Sequence, residues 1–456
     1  AVRKSCHAAQ KRAMTGIARP ADCRSDDEAE AIEEAMRVLV LGGGVIGITT
    51  AWFLAQDGHD VTVVEREPGV ALATSYANGS MIHSCLVEPW NEPGIALKLI
   101  KWLGRNDAPA VLRLGAIPGM FGWGLAFLRN ATTERHQQHT LVNLRLALLS
   151  ADLLRQVRNE TGIEHDQRER GILKVLRSQA ALDASARHAS TLAEHGTVRF
   201  EVLDREGVFA LEPALVEGGD GIAGGVVFPD DESGDCHLFT RRLAQAFERK
   251  GGRLKLRTAI TDIETEGDEV TGVVTSGGRL DADAYVLAAG WDSPALGHGI
   301  GLQLPINPVK GYSITVGKGG WNDSPQIAMV DETLKVGVVP LGDRLRIAGS
   351  AEFTGPDLSL NPRRSDYVWE TALKVYPAIA RYADMAKMER WTGLRPMTPD
   401  GPPIIGPTRL RNLYLNAGHG HLGWTFACGS AQIVAATIAG RKPPIALDGL
   451  TFDRFG

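Results

Sequence analysis

The chain has 456 residues, with 49 lysines and arginines against 54 aspartates and glutamates and a formal net charge of −5 at pH 7. That length allows two or three domains around a large core, and the acidic balance argues against a general nucleic-acid-binding surface. Five cysteines, Cys6, Cys23, Cys85, Cys236 and Cys428, stand apart without CxxC or zinc spacing, which fits free thiols in a reducing, cytoplasmic compartment and predicts no metal site.

Residues 1–35 read as foreign to the fold. Arg, Lys and Ala dominate up to Arg24, and the acidic run DDEAEAIEE follows. The apolar centre of a secretory signal is missing, so a disordered leader or a non-native remnant is expected, with an Arg-rich transit peptide as the alternative and Met36 as the natural start.

The first folded motif is RVLVLGGGVIG. Val38–Leu41 is a short apolar run suited to a buried parallel strand. Gly42, Gly44 and Gly47 then match G-x-G-x-x-G: Gly42 permits the tight turn, Gly44 lets a pyrophosphate approach the backbone, and Gly47 lets the next helix pack closely. That helix, predicted from Val45 to Gln56, aims the N–H groups around Val45 and Ile46 and its positive dipole end at the phosphates. A second strand, HDVTVVERE, carries Glu65 about 20 residues beyond the turn, where an acid accepts hydrogen bonds from ribose hydroxyls, with Arg66 beside it. The acid favours FAD or NAD over NADP; this segment alone does not choose between the two.

TSYANGSMI (74–82) is a loop of short polar side chains. Ser75, Asn78, Gly79 and Ser80 leave room for a cofactor ring and offer hydrogen bonds; otherwise the segment is a plain polar loop. Residues 95–128 mix aromatic and aliphatic residues with Lys98, Lys101, Arg105, Arg113 and Arg129. The mixture suits either a surface lying on an anionic membrane or a buried helical excursion. No segment reads as a transmembrane helix.

Further strands are expected at 171–176, in 224–236, at 254–258, 270–275, 284–287 and 310–316, and as a hairpin over 336–350 that turns at Leu341-Gly342-Asp343. The run ending at 287 is followed by Ala288, Ala289, Gly290 and Trp291, small enough at first to pack beside a cofactor. NLYLNAG (412–418) reads as a strand, GHGHLG as a loop, and Trp424–Ala439 as a helix stopped by Gly440.

Taken together, VLVLGGGVIGITTAWFLAQDGHDVTVVER, TSYANGSMI, YVLAAGW, PVKGYSITV, GLRPMTPDGPPIIG and LNAGHGHLGWTFACGSAQ resemble the FAD-dependent amine and amino-acid oxidoreductases of the D-amino-acid oxidase type. The likeness covers essentially all of Met36 to Phe455 and runs closest to the bacterial D-amino-acid dehydrogenase branch. It implies FAD as the cofactor and an α/β fold of two domains. A Rossmann-like FAD-binding domain, discontinuous over 36–93, 177–221, 237–304 and 391–450, is joined to an α+β substrate domain of 94–176, 222–236 and 305–390 with a mixed, largely antiparallel sheet.

The resemblance also implies the chemistry: hydride transfer from the carbon bearing the amine to flavin N5, giving an imino acid that hydrolyses to a 2-oxo acid and ammonia. Arg395, in the family's G-x-R-P segment, is then the two-pronged grip on the substrate carboxylate. Tyr312 either donates to the same carboxylate or is a core tyrosine on a strand. Negative charge that builds on the reduced ring needs a positive field, which the helix starting at Leu422, Gly423, Trp424 and Thr425 can supply. Gly418, His419 and Gly420 bring the backbone close to the ring. His419 and His421 fit a hydrogen-bonding wall better than a catalytic acid or base, and Lys310 lies either near N5 or on a solvated strand face.

The overall reading is oxidative deamination of D-amino acids, with electrons passed to a quinone or other respiratory acceptor by an enzyme peripheral to the inner face of the cell membrane. A glycine, sarcosine or D-proline-type oxidase using O2 shares nearly every motif. An FAD-binding RNA-modification protein or non-catalytic subunit is the rival from another class, and the lack of a basic domain weighs against it.

Overall fold

The computed structural model describes residues 35–102, 105 and 108–456. The leader expected at 1–35 therefore lies outside the described residues apart from Ala35, as do four positions of the 95–128 excursion.

Val38, Leu39, Val40 and Leu41 are all buried in the strand Arg37–Leu41, so the run is apolar throughout rather than alternating. This strand sits inside a six-stranded sheet whose order is Ile404–Pro407, Leu413–Ala417, Ala284–Leu287, Arg37–Leu41, Asp60–Val64 and Arg253–Lys255. Every neighbouring pair is parallel except the first. The period of two divides the strand's burial between two cores. Val38 and Val40 face helices Val45–Gln56, Cys236–Arg249 and Gly423–Ile438 through Ile48, Leu243 and Ile433. Leu39 and Leu41 face the opposite layer, where Ile263, Val270 and Val273 come from a three-stranded antiparallel sheet, Ile260–Glu266, Glu269–Thr275 and Gly278–Leu280.

The second large sheet runs Asp384–Met397, Asn307–Gly317, Arg344–Phe353, Val336–Leu341, Ala328–Asp331, Ile172–Leu176, Gly224–Phe228 and Glu201–Asp204, and the short strand Ala110–Leu112 pairs with Arg344–Phe353. It is mixed and largely antiparallel: only Ala328–Asp331 on Ile172–Leu176 and the Ala110–Leu112 pairing are parallel. The hairpin turns at Gly342, whose φ of +54° suits glycine. The fold class is thus the α/β architecture with a second mixed sheet that the motifs imply.

Sheet membership differs from the expected segmentation at two places. Glu201–Asp204 forms the edge of the mixed sheet although 177–221 is expected in the nucleotide-binding part; its four polar-flanked residues carry no alternation to announce this. GLRPMTPDGPPIIG crosses from one sheet to the other. Its first residues belong to Asp384–Met397, zipped along Asn307–Gly317, and Ile404 and Ile405 already belong to the nucleotide sheet.

Candidate active site

The glycine turn is built as its spacing requires. Gly42 has φ +119°, and a Cβ there would lie 2.6 Å from the Ala288 carbonyl oxygen, so the turn and the end of strand Ala284–Leu287 touch through backbone. A Cβ on Gly47 would lie 1.8 Å from the Gly42 carbonyl oxygen, which makes Gly47 a packing residue. At Gly44 the neighbourhood is open: a Cβ meets only Ser75 Oγ, at 3.4 Å. Glu65 closes the turn by accepting from Gly43 N–H at 2.7 Å and from Glu67 N–H at 2.8 Å.

Gly44, Glu65, Ala289 and His419 all line one cavity of about 1370 Å³. Three far-separated stretches of chain therefore meet at a single space. Of the expected cofactor residues, Gly42, Val45, Ile46, Arg66, Ser75, Asn78, Gly79, Ser80, Gly290, Trp291, Gly420, Gly423 and Trp424 also line it. Gly47, Gly418, Leu422 and Thr425 do not: Leu422 is in the core, a Cβ on Gly418 would meet Thr398 at 2.7 Å, and Thr425 is buried with its hydroxyl oxygen 3.4 Å from His83 N–H. At the Glu65 end, Arg66 pairs with Asp292 at 2.9 Å and its guanidinium lies 5.6 Å from the centre of the Trp291 ring.

The loop 74–80 is tied from both sides. Ser75 Oγ accepts from Val45 N–H at 3.1 Å, at the start of the glycine-turn helix. Thr74 donates to Leu394 O at 2.7 Å, Ser313 donates to Ala77 O at 2.6 Å, and Arg346 donates to Asn78 O at 3.0 Å. The mixed sheet thus holds the loop against the nucleotide sheet.

The residues present fit FAD. Ser80 Oγ, His83 Nδ1, Asn416 Oδ1, His419 Nε2, His421 Nδ1 and Trp424 Nε1 are buried without a hydrogen-bond partner, and all six residues line the cavity. Buried polar atoms normally find partners, so this set marks a space shaped for a ligand with donors and acceptors of its own. The open face of Gly44 and the start of helix Gly423–Ile438 complete the cradle.

Arg395 stands on Asp384–Met397 opposite Val309. Its guanidinium has no carboxylate partner among the described residues; its one hydrogen bond, from Nη1 to Ser350 O, is long at 3.5 Å. Burial pulls its pKa down to about 10, which still leaves it charged at neutral pH. A Cβ on Gly311 would lie 2.2 Å from Nη1, so the strand beside it is hollowed to admit the side chain. The guanidinium lies over Trp90, 5.3 Å from the ring centre, and Trp90 stacks on His421 at 5.0 Å with 27° between planes.

Tyr312 is placed differently from the carboxylate donor considered above. The residue lines the cavity, but its hydroxyl donates to buried Glu352, which is also held by Arg113 Nε at 2.6 Å. Burial and the Glu352 carboxylate push the phenol pKa up. The reason is strand alternation: Tyr312 shares a face with Lys310, which faces Glu352 across the strands, whereas Gly311 and Val309 share the Arg395 face. Lys310 likewise points away, its Nζ 2.5 Å from Asp357 and 3.0 Å from Ser359 O.

Three histidines of the site, His83, His419 and His421, are held neutral. Burial lowers His419 and His421 to about 3 and His83 to about 4. Two further walls differ in chemistry. Lys174 lies 3.2 Å from Glu332, and His188 lies 2.6 Å from Glu88, giving one polar wall. Burial acts to raise Glu88, but Lys174 and His188 outweigh it and its pKa falls. The other wall is apolar and carries Ile95, Leu99, Trp102 and Phe127.

Trp90 and Gly311 join the site without being among its expected residues. For Gly311 a signal existed, since glycine inside a strand marks close approach. No local signal exists for Trp90. Among the described residues no cluster of His, Cys, Asp and Glu could hold a metal ion.

The model of the family described as FAD dependent oxidoreductase matches residues 37–437. A D-amino acid dehydrogenase of Paramagnetospirillum magneticum is 45% identical over 92% of this chain and 99% of its own length, and one of Bradyrhizobium diazoefficiens is 45% identical over 92% and 99%. Among solved structures, an L-proline dehydrogenase from P. horikoshii superposes with a TM-score of 0.73 at 19% identity, covering 92% of this chain and 98% of its own. A glycine oxidase from Geobacillus kaustophilus gives 0.70 at 22% identity, covering 91% and 98%. At such identities these two structures bear on the fold alone.

Proposed function

The chain belongs to the FAD dependent oxidoreductase family, and from that premise we propose that it oxidises D-amino acids at Cα to imino acids, which hydrolyse to 2-oxo acids and ammonia. The name borne by relatives at 45% identity supports the substrate class. One observation carries the reading of the site: a charged guanidinium, Arg395, without an acid partner among the described residues, facing the cavity where Gly44 and His419 converge.

FAD, when bound, accepts the hydride and carries the redox chemistry. Gly42, Gly44, Val45, Ile46, Glu65, Arg66 and Trp291 would hold its nucleotide part, and the 74–80 loop, Gly420, Gly423 and Trp424 would hold its ring end. Arg395 grips the substrate carboxylate with two in-plane N–H donors and so fixes where Cα sits. The same positive charge disfavours a second cation beside it, which favours the free amine over the ammonium, the form with a lone pair to drive hydride loss. His83, His419 and His421, neutral at physiological pH, offer hydrogen bonds and add no charge. The first N–H groups of helix Gly423–Ile438 supply a positive field toward which negative charge can build.

The electron acceptor is a quinone or another lipid-soluble respiratory carrier, reached from a peripheral position on the inner face of the cell membrane. No helix among the described residues is long and apolar enough to cross a membrane. Support for surface contact comes from the excursion beside the apolar wall: Leu97, Ile100, Leu114 and Phe121 are 67%, 70%, 65% and 68% exposed, and exposed Lys101 and Arg129 lie on the same segments. Clustered apolar exposure flanked by cations fits an anionic bilayer. Arg113 takes no part in this, being bound to Glu352.

The test is anaerobic mixing of the yellow protein with paired D- and L-amino acids while flavin absorbance is followed. Bleaching by the D member of each pair is expected. If no free amino acid of either hand bleaches the flavin, the proposal fails.

A further inference from the structure

An acid is one group that can orient a carboxylate-binding arginine. Here the clamp rests on a ring. Arg395 has no acidic partner among the described residues and only a 3.5 Å contact to Ser350 O, while its carbon Cζ lies over Trp90, 5.3 Å from the ring centre. Trp90 is itself fixed by stacking on His421 at 5.0 Å. On the neighbouring strand Gly311 leaves out the side chain that would occupy the guanidinium's place.

We infer that Trp90 is a positioning residue for substrate: its ring face carries the Arg395 guanidinium and thereby sets the affinity and angle of the carboxylate clamp. This rests on the reading of Arg395 given under the proposed function. The physical reason lies in the direction of the two interactions. An acid would bind the guanidinium in its plane and occupy the N–H donors that a substrate carboxylate needs. A ring attracts the same cation through its flat face and leaves the in-plane donors free. An aromatic face also replaces some of the hydration that the cation loses on burial. His421 enters as the backing of the stack: neutral, it adds no charge to repel Arg395 across the ring.

The carriage is geometrically economical. Trp90 lies on the loop that follows strand Met81–Ile82, His421 lies just before helix Gly423–Ile438, and Arg395 lies on the mixed sheet. The stack therefore links the two sheets at the point where substrate sits. A movement of the 88–94 loop would be felt directly at the clamp.

The experiment compares Trp90→Leu and Trp90→Phe with the wild-type holoprotein, using benzoate as a carboxylate probe whose binding perturbs the flavin spectrum, and D-alanine for steady-state kinetics. Trp90→Leu is expected to weaken benzoate binding and raise KM about tenfold, the factor corresponding to loss of a desolvated cation–π contact, with a smaller change in kcat. Trp90→Phe keeps a ring face and is expected to stay within about threefold of wild type. Retained yellow colour in both variants establishes that the cofactor domain is intact. Unchanged benzoate affinity in Trp90→Leu, or an equal loss in Trp90→Phe, overturns the assignment. Benzoate binding needs no turnover, so a wild-type protein that binds benzoate through Trp90 but oxidises no D-amino acid would sink the substrate reading and leave the clamp standing.

Discussion

Gly311 and Arg395 meet across two antiparallel strands, and the missing side chain of one is the space filled by the other: a Cβ at position 311 would sit 2.2 Å from the Arg395 Nη1. The guanidinium is the far end of a flexible side chain, so an added methyl displaces it without breaking the sheet. Gly311→Ala is therefore expected to retain FAD and thermal stability yet lose about 10- to 100-fold in kcat/KM for the D-amino acid, as a misplaced binding group does. Arg395→Ala should lose at least as much. Stopped-flow flavin reduction against substrate concentration decides; wild-type kinetics in Gly311→Ala would mean that Arg395 is not the clamp.

Two glycines of the fingerprint separate cofactor binding from folding. The side chain of Gly44→Val has only Ser75 Oγ nearby and projects into the cradle, so a folded, colourless protein is expected. Gly47→Ala drives a Cβ to 1.8 Å from backbone and is expected to cost about 3 kcal/mol or more. Flavin content measured against the circular-dichroism melt distinguishes the two. A yellow Gly44→Val protein would contradict the pyrophosphate site.

Buried neutral histidines make the fold acid-sensitive. His165 and His419 are buried and lowered to about 3. An unfolded chain takes up protons on both near pH 6.5, whereas the folded one does so only near 3. Their contribution is thus complete above pH 6.5 and is lost as pH falls, at up to about 1.4 kcal/mol per pH unit each. Asp231 runs the other way: burial pushes it up to about 6, so below that pH it favours the fold and offsets part of the loss. The two histidines together lose about 3 kcal/mol between pH 6.5 and 5 and Asp231 returns about 1, so these three groups leave a net loss of about 2 kcal/mol. Melting curves across that range test it, with His165→Leu as a variant whose slope should be shallower; a melting temperature flat from pH 7 to 5 would refute it.

The exposed apolar residues of the excursion should matter to the acceptor and not to the amino acid. Leu97→Glu with Phe121→Glu is expected to abolish sedimentation with anionic vesicles and to slow reduction of a vesicle-borne quinone by about tenfold or more. Anaerobic bleaching by D-alanine should be unaffected. Equal vesicle binding by the variant would remove the membrane contact from the reading.

How much of this was legible depended on distance along the chain. Strand Arg37–Leu41 and helix Val45–Gln56 emerge within a residue of expectation because the glycine turn and the apolar run are local signals. Helix Thr133–Thr161 carries equally local caps, Thr132 accepting from Arg135 N–H and Gly162 at φ +65°, although it is not among the expected elements. Tyr312 was harder: its residue type invited a carboxylate donor, although strict alternation from Gly311 already put it on the other face. Trp90 lay beyond reach altogether. Nothing in a local window joins a loop tryptophan to an arginine on a strand more than three hundred positions later, since only the crossing of two sheets brings them together.

The six-stranded sheet also has a bearing on how the chain is made. Arg37–Leu41 leaves the ribosome early, but one of its two flanking partners, Ala284–Leu287, arrives far later, and Leu413–Ala417 later still. Until then one edge of a strand that is apolar from Val38 to Leu41 has no native neighbour, in a topology dominated by distant pairings. Synthesis must pass residue 413 before this half of the molecule can close, and premature termination anywhere before that point leaves a fragment unable to assemble the sheet.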